Sequence, residues 1–291
     1  MPAEKRKITF WILAGLFLAN LFVFAAVYDL SRAQGLEVNF FDVGQGDAIF
    51  IETPSHRQVL IDGGPSSVIL EKLRKEMPFW DRTIDLVILT HPEKDHLTGL
   101  LDVLKRYKVE NILWTGIVRD TAEYKEWEKL IKEENAKIYI ARAGQQIILA
   151  RNVLANILYP LENLEGKVFK DSNDTSIVAK LTFSENSFLF TGDISKSAEK
   201  GLLLGPAEQQ LQADVLKVAH HGSKTSTSKE FVEAVSPEIA VIQAGRNNSY
   251  GHPRQETLDT LAEYGIKIFR TDLNNDIKII SDGKNYGVPD F

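Results

Sequence analysis

The feature that most constrains this chain is a run of metal-ligating side chains at the end of an apolar segment. Leu86-Val87-Ile88-Leu89 reads as a buried strand. His91, Glu93, Asp95 and His96 then fall within six residues. A loop leaving a strand can point such closely spaced side chains inward, whereas a helix or a regular strand would not do so for all four. Pro92 stiffens the loop, and Thr98 is placed to cap a helix signalled by Leu100, Leu101 and Leu104. Two imidazoles and two carboxylates here make the loop a candidate dinuclear metal site.

Other ligand-type residues gather at comparable places. Of six histidines, five lie in three strand-to-loop turns: His91 and His96, His220 and His221, and His252. Asp193 stands in a Gly192-Asp193 turn after an apolar strand. Singly, a Gly-Asp turn or a His-His-Gly loop is ordinary structural material. Together they collect at strand ends, where α/β folds build their sites. His56 sits in a hairpin turn and has no assigned role.

The pattern around these turns is α/β. Strands are predicted over 36–42, 48–53, 58–62, 85–90, 111–115 and 137–141, with helices over 66–77, to Tyr107 and to about Glu134. Short strand-like runs and a loop occupy 145–181. Strands then fall at 187–191, 215–219, 239–242, 267–270 and 276–281, and Ser226 or Thr227 caps a helix toward Val235. Each half contains a hairpin, an acidic glycine turn and a helix, which suggests two similar sheet-and-helix halves packed face to face.

Residues 8–28 form a 21-residue apolar run without a charge, preceded by Glu4-Lys5-Arg6-Lys7. That length matches a bilayer-spanning helix of about 20 residues, and the basic flank predicts a cytoplasmic N-terminus. A cleaved secretory signal with Ser31-Arg32-Ala33 as its site, giving a secreted domain, is the alternative. Against it, signal cores run about 7 to 15 residues. The expected organisation is a basic tip and single transmembrane anchor over 1–33 and an extracytoplasmic catalytic domain over 34–291.

The formal net charge is −6, and the tip (Lys5, Arg6 and Lys7 against Glu4) carries +2, so the remainder stands at −8. Composition therefore carries no basic footprint for nucleic acid, and any such contact must be local or made by bound metal. The absence of cysteine excludes disulfides, thiolate ligands and a cysteine nucleophile.

These motifs resemble the metallo-β-lactamase superfamily, whose signature is His-x-His-x-Asp-His after a strand, a bridging Asp after a later strand and a further His near the end. More specifically, the chain resembles the branch that includes the hydrolase domain of ComEC-type DNA-uptake proteins. The residues that carry this are Phe41-Asp42-Val43-Gly44-Gln45-Gly46-Asp47-Ala48, Asp62-Gly63-Gly64, His220-His221-Gly222-Ser223-Lys224-Thr225-Ser226 and Tyr250-Gly251-His252-Pro253. Asn173-Asp174-Thr175-Ser176 stands where that branch has an Asn-rich turn. The resemblance runs from about Leu36 to Ser281 and leaves out a multi-span channel. It implies a four-layer αβ/βα sandwich after the N-terminal helix.

By the same resemblance His91 and Glu93 hold one metal ion, Asp95 and His96 the second, and Asp193 bridges both. One of the adjacent pair His220 and His221, with His221 preferred, completes the second site. The first site's third ligand is open between Asp174, Asn173 and water. His252 contacts a phosphate oxygen or protonates a leaving oxygen, Ser223, Lys224 and Asn173 line the substrate site, and Asp42 and Asp47 orient ligands from behind. Asp62 fixes its glycine turn. Glu93 replaces an imidazole with a hard oxygen donor; oxygen-rich sites lean toward manganese, which makes manganese a live alternative to zinc.

Two ions roughly 3.5 to 4 Å apart suit in-line phosphoryl displacement, so the leading expectation is a phosphodiesterase or nuclease acting on DNA or another phosphodiester, with Asp95 at the centre of the chemistry. Hydrolysis of a small ester, lactone or lactam on the same site is the second reading. A membrane-tethered scaffold without catalysis is the third, weakened by the presence of Asp95, His96, Asp193 and His221 together.

Overall fold

A computed structural model describes residues 3–31 and 35–289. Two compact units emerge, Met1–Gln34 and Gly35–Phe291. The signal-cleavage reading and the expected 33/34 boundary fall on residues 32–34, outside the described residues.

The first unit contains one helix, α1 (Ala3–Ser31). Its stretch Glu4–Ala25 is long and apolar enough to cross a membrane. Phe10, Trp11, Phe17, Phe22 and Phe24 are exposed along it, as a bilayer span requires and a core helix does not. Its polar side chains stay satisfied within the helix: Thr9 Oγ1 donates to the Lys5 carbonyl and Asn20 Nδ2 to that of Leu16, both at 2.9 Å.

The second unit is a four-layer αβ/βα sandwich. Its first sheet is built from β1 (Leu36–Phe40), β2 (Ile49–Glu52), β3 (Gln58–Ile61), β4 (Thr83–Ile88), β5 (Lys108–Trp114) and β6 (Lys137–Ile140). The second contains β7 (Gln146–Ala150), β8 (Val153–Tyr159), β9 (Val178–Phe183), β10 (Asn186–Phe190), β11 (Val215–Lys217), β12 (Ile239–Ile242) and β13 (Lys267–Arg270). The chain then returns to the first sheet with β14 (Ile277–Ser281) beside β1 and β15 (Tyr286–Gly287) at the edge. This return is where the expected equivalence of the two halves fails, because the last strands complete the first sheet.

Strand alternation separates the layers, since successive side chains face opposite ways. In β4, Leu86 and Ile88 join Phe40, Ile61, Phe188 and Phe190 between the sheets. Val87 and Leu89 face outward, under α2 (Val68–Glu76), α3 (Lys94–Leu104) and α4 (Ala122–Glu133), where Leu73, Leu100 and Trp127 cover them. The second sheet is covered by α5 (Lys196–Leu203), α6 (Lys229–Val235) and α7 (Gln255–Glu263), with α8 (Thr271–Asn274) a single turn after β13. Strands buried on both faces read as continuous apolar runs, which is why β4, β11 and β12 were visible in the sequence.

Two expected caps are displaced. α3 begins at Lys94 with Glu93 as its N-cap, so Thr98 lies inside the helix and donates its hydroxyl to the Lys94 carbonyl at 2.7 Å. The cap of α6 is Ser228, whose side chain accepts from the Phe231 N–H.

Candidate metal centre

The early start of α3 divides the opening cluster. His91 and Glu93 lie on the loop after β4, while Asp95 and His96 occupy the first helical turn. The loop alone does not carry all four, contrary to the sequence reading. Gly46 allows the second turn to approach: a Cβ there would lie 2.2 Å from the Asp95 carbonyl oxygen. Gly192 does the same for Asp193, because its Cβ would meet Ser176 Cβ at 2.8 Å and its φ is +51°.

His220 and His221 are consecutive residues in left-handed backbone, φ +51° and +54°. Each non-glycine residue there costs about 1–2 kcal/mol. The turn aims both imidazoles toward Asp193: His221 Nε2 lies 3.4 Å and His220 Nε2 4.0 Å from Asp193 Oδ2. The ligand atoms of Asp95, His96, Asp193 and His221 all lie within 4.8 Å of one another.

Hydrogen bonds behind the imidazoles fix which nitrogen faces the cluster. His221 Nδ1 lies 3.0 Å from the Gln243 carbonyl and 3.2 Å from Asp47 Oδ1. His96 Nδ1 lies 2.8 Å from Asp62 Oδ2. His91 Nδ1 lies 3.1 Å from Thr90 Oγ1, whose own hydrogen goes to Asp62 Oδ2 at 2.6 Å. These acceptors assign a proton to each Nδ1, leaving each Nε2 for the centre. His91 Nε2, His96 Nε2 and Asp193 Oδ1 are buried without a hydrogen-bond partner among the described residues.

Such a cluster demands positive charge at its centre. Burial alone would depress the His221 imidazole, yet Asp193 and Asp47 push it up to about 10. His96 likewise rises despite its burial, through Asp193 and Asp62. Burial, reinforced by His96, lowers His91 to about 3 and keeps it a neutral donor. Nitrogen lone pairs, carboxylates and unpartnered buried atoms fit a divalent cation, which Asp95, His96, Asp193 and His221 could hold.

His91 and His220 flank this tetrad: the His91 and His96 rings are 4.2 Å apart and those of His220 and His221 6.1 Å. Glu93 borders the same cavity, but its Oε1 accepts from Arg119 Nη2 at 2.6 Å and from the Ser172 hydroxyl. Asn173 Nδ2 lies 3.3 Å from His220 Nε2. The cavity, of about 640 Å³, is lined also by Gln45, Lys170, Tyr250 and His252. Burial, with His221 and His220 beside it, lowers His252 to about 4.

Several sequence expectations are corrected. Asp174 does not face the cluster; its carboxylate accepts from the Ser195 N–H and hydroxyl at 2.8 and 2.9 Å. The Ser223 hydroxyl pairs with Thr225 Oγ1 at 2.9 Å, and neither Ser223 nor Lys224 lines the cavity. The carboxylate of Asp42 accepts from the Gly44 N–H within its own turn, and among the described residues no hydrogen bond joins it to His91, His96, His220 or His221. Asp62 does more than fix a glycine turn, since it grips His96. The sequence reading missed Lys217, Thr90, Arg119 and Lys170. Lys217 is fully buried and paired to Asp47; a lysine within the apolar strand 215–219 was the signal that could have found it.

The family model described as the metallo-beta-lactamase superfamily matches residues 41–246. ComE operon protein 3 of Bacillus subtilis is 31% identical over 96% of this chain, and competence protein ComA of Neisseria gonorrhoeae 29% over 81%. The chain spans 37% and 31% of the length of these two relatives. Among solved structures, the metallo-beta-lactamase fold protein YhfI from Bacillus subtilis superposes with a TM-score of 0.57 at 13% identity, covering 85% of this chain and 100% of that one. At that identity the likeness concerns the fold.

Proposed function

Because this chain belongs to the metallo-β-lactamase superfamily, with ComEC-type competence proteins among its relatives, we propose that it is a dinuclear metal-dependent phosphodiesterase that cleaves nucleic acid. The observation that carries the reading is the gathering of Asp95, His96, Asp193 and His221 within 4.8 Å, beside a rim suited to a phosphodiester. The second ion would sit among His91, His220 and Asp193, with Glu93 joining it if released from Arg119. Bound there, divalent ions supply Lewis acidity toward a phosphoryl group and lower the pKa of water.

The chain's own residues do the rest. Lys170 brings a positive charge to the cavity mouth and offsets phosphate charge in an otherwise acidic chain. His252, neutral at pH 7 because its pKa is lowered to about 4, donates a hydrogen bond to a phosphoryl oxygen in preference to storing a proton. Tyr250 is 61% exposed and stacks on His252 with centroids 5.9 Å apart, offering a face for a base. Asn173 and Thr225 hold His220 in place.

In this reading α1 is a membrane anchor with Lys5, Arg6 and Lys7 on the cytoplasmic side and the catalytic unit outside. Zinc or manganese serves as the metal: the four imidazoles suit zinc, and Glu93, if it joined the centre, would lean it toward manganese. The test is a substrate panel with the whole chain loaded with either ion: single-stranded DNA, a bis-aryl phosphodiester and a β-lactam. Cleavage of the two phosphodiesters and not of the lactam supports the reading; lactam turnover without phosphodiester cleavage sinks it.

A further inference from the structure

The loop joining α2 to β4 presents Phe79 and Trp80 at 79% and 63% exposure, packed edge to face with centroids 4.8 Å apart. The acidic residue that follows is turned inward: Asp81 accepts from the Thr83 N–H at 3.0 Å and from Gln58 Nε2 at 2.9 Å. Exposed cations flank the pair. Arg74 closes α2, Arg82 follows the loop, and Arg106 and Lys108 stand in the turn from α3 into β5. The two turns are joined, with the Lys108 N–H donating to the Arg82 carbonyl at 2.7 Å and the Arg82 guanidinium 5.4 Å from the Tyr107 ring centroid. Aromatics outward, acid inward and cations around them make a locally basic tip on a chain of net charge −6.

Sheet register sets this tip at the end where the chain enters. β1 pairs antiparallel with β2, β2 antiparallel with β3, and β3 parallel with β4, so β1 and β4 run the same way. Glu37 is level with Glu52, Glu52 with Gln58, and Val59 with Leu86. Leu36 and Thr83 therefore lie at one end of the sheet, three strand spacings or about 14 Å apart. Residues 32–34 are all that separates Ser31, the end of α1, from Gly35. The metal cluster follows the opposite end of β4, about 20 Å away along the strand.

We propose that this end of the domain docks on the bilayer surface, with Phe79 and Trp80 in the headgroup–acyl boundary and Arg74, Arg82, Arg106 and Lys108 against anionic headgroups. Aromatic side chains favour that boundary, and clustered basic residues favour anionic lipid. The metal cluster then faces away from the membrane. The inference rests on α1 being an anchor, and its test separates the two.

The chain has no cysteine, so Phe79→Cys, Phe22→Cys and Val168→Cys each give one site for an environment-sensitive dye on the full chain. The protein is reconstituted in vesicles of phosphatidylcholine and phosphatidylglycerol carrying acyl chains spin-labelled near the headgroup. Docking gives a blue-shifted, quenched dye at position 79 and an aqueous one at position 168. Burial at position 22 without quenching at 79 overturns docking and leaves the anchor. An aqueous dye at position 22 removes the anchor, and the inference with it. In the Phe79→Cys background, adding Arg82→Glu and Lys108→Glu should weaken quenching when phosphatidylglycerol is present. Quenching unchanged by that charge reversal overturns the headgroup pairing.

Discussion

His96 Nδ1 lies 2.8 Å from Asp62 Oδ2, and Thr90 gives the same carboxylate both its N–H and its hydroxyl. Asp62 thus joins β3 to the loop after β4 and fixes the face that His96 turns to the centre. Asp62→Asn removes the acceptor that holds this tautomer and should lower divalent-ion affinity about 10–100-fold. Calorimetric titration with manganese and with zinc checks this; native affinity in the variant would mean Asp62 serves its turn alone.

Lys217 and Asp47 are both at most 2% exposed, and Asp47 also lies 3.2 Å from His221 Nδ1. Burial opposes the Asp47 carboxylate, and Lys217 with His221 brings its pKa below the ordinary range. Lys217→Met leaves that charge buried without its main partner, a loss on the order of 3–5 kcal/mol. Urea unfolding should show it, with Asp47→Asn in the same chain restoring part. Equal stability of native and Lys217→Met would argue against a charged pair.

The metal-free cluster has a defined pH dependence. His221 is raised to about 10 and His96 is raised as well, so both hold protons more tightly folded than unfolded. Their stabilisation is complete below the unfolded histidine pKa of about 6.5 and is lost as pH rises through the folded values. Metal-free protein should lose stability between about pH 6.5 and 10, and ion binding at pH 7 should release protons. Titration in buffers of different ionisation enthalpy measures that release; none at pH 7 would contradict the assignment.

Glu93 is the departure from the imidazole-rich signature, and Arg119 and Ser172 occupy its Oε1. Glu93→His supplies a nitrogen donor and should move the preference from manganese toward zinc. Competition between the two ions for one protein reads this directly. An unaltered preference would leave Glu93 as a partner of Arg119 outside the coordination sphere.

The parts of this molecule that were legible in the sequence are those written in strand periodicity and ligand type. β4, β11 and β12 stood out as apolar runs because both faces are buried, and each ends at a histidine turn. The layers followed from the resemblance. The supporting network was illegible because it is made across the fold: Asp62 reaches His96, and Asp47 reaches Lys217, through pairings that no spacing encodes. Asp174 and Asp42 looked like candidates by position and are consumed by neighbouring backbone N–H groups. The start of α3 lies earlier than composition suggests, because Thr98 is the better N-cap by residue type while Glu93, in extended backbone, takes that role.

In the proposed function Asp95, His96, Asp193 and His221 hold an ion on which phosphodiester cleavage depends. Bound metal and single-turnover cleavage of a DNA oligonucleotide, measured on the same samples of native protein and His221→Ala, test it most directly. His221→Ala should lose metal and cleavage together, with cleavage falling at least about 100-fold, or about 2.7 kcal/mol in barrier. Native cleavage by a variant depleted of metal would contradict it.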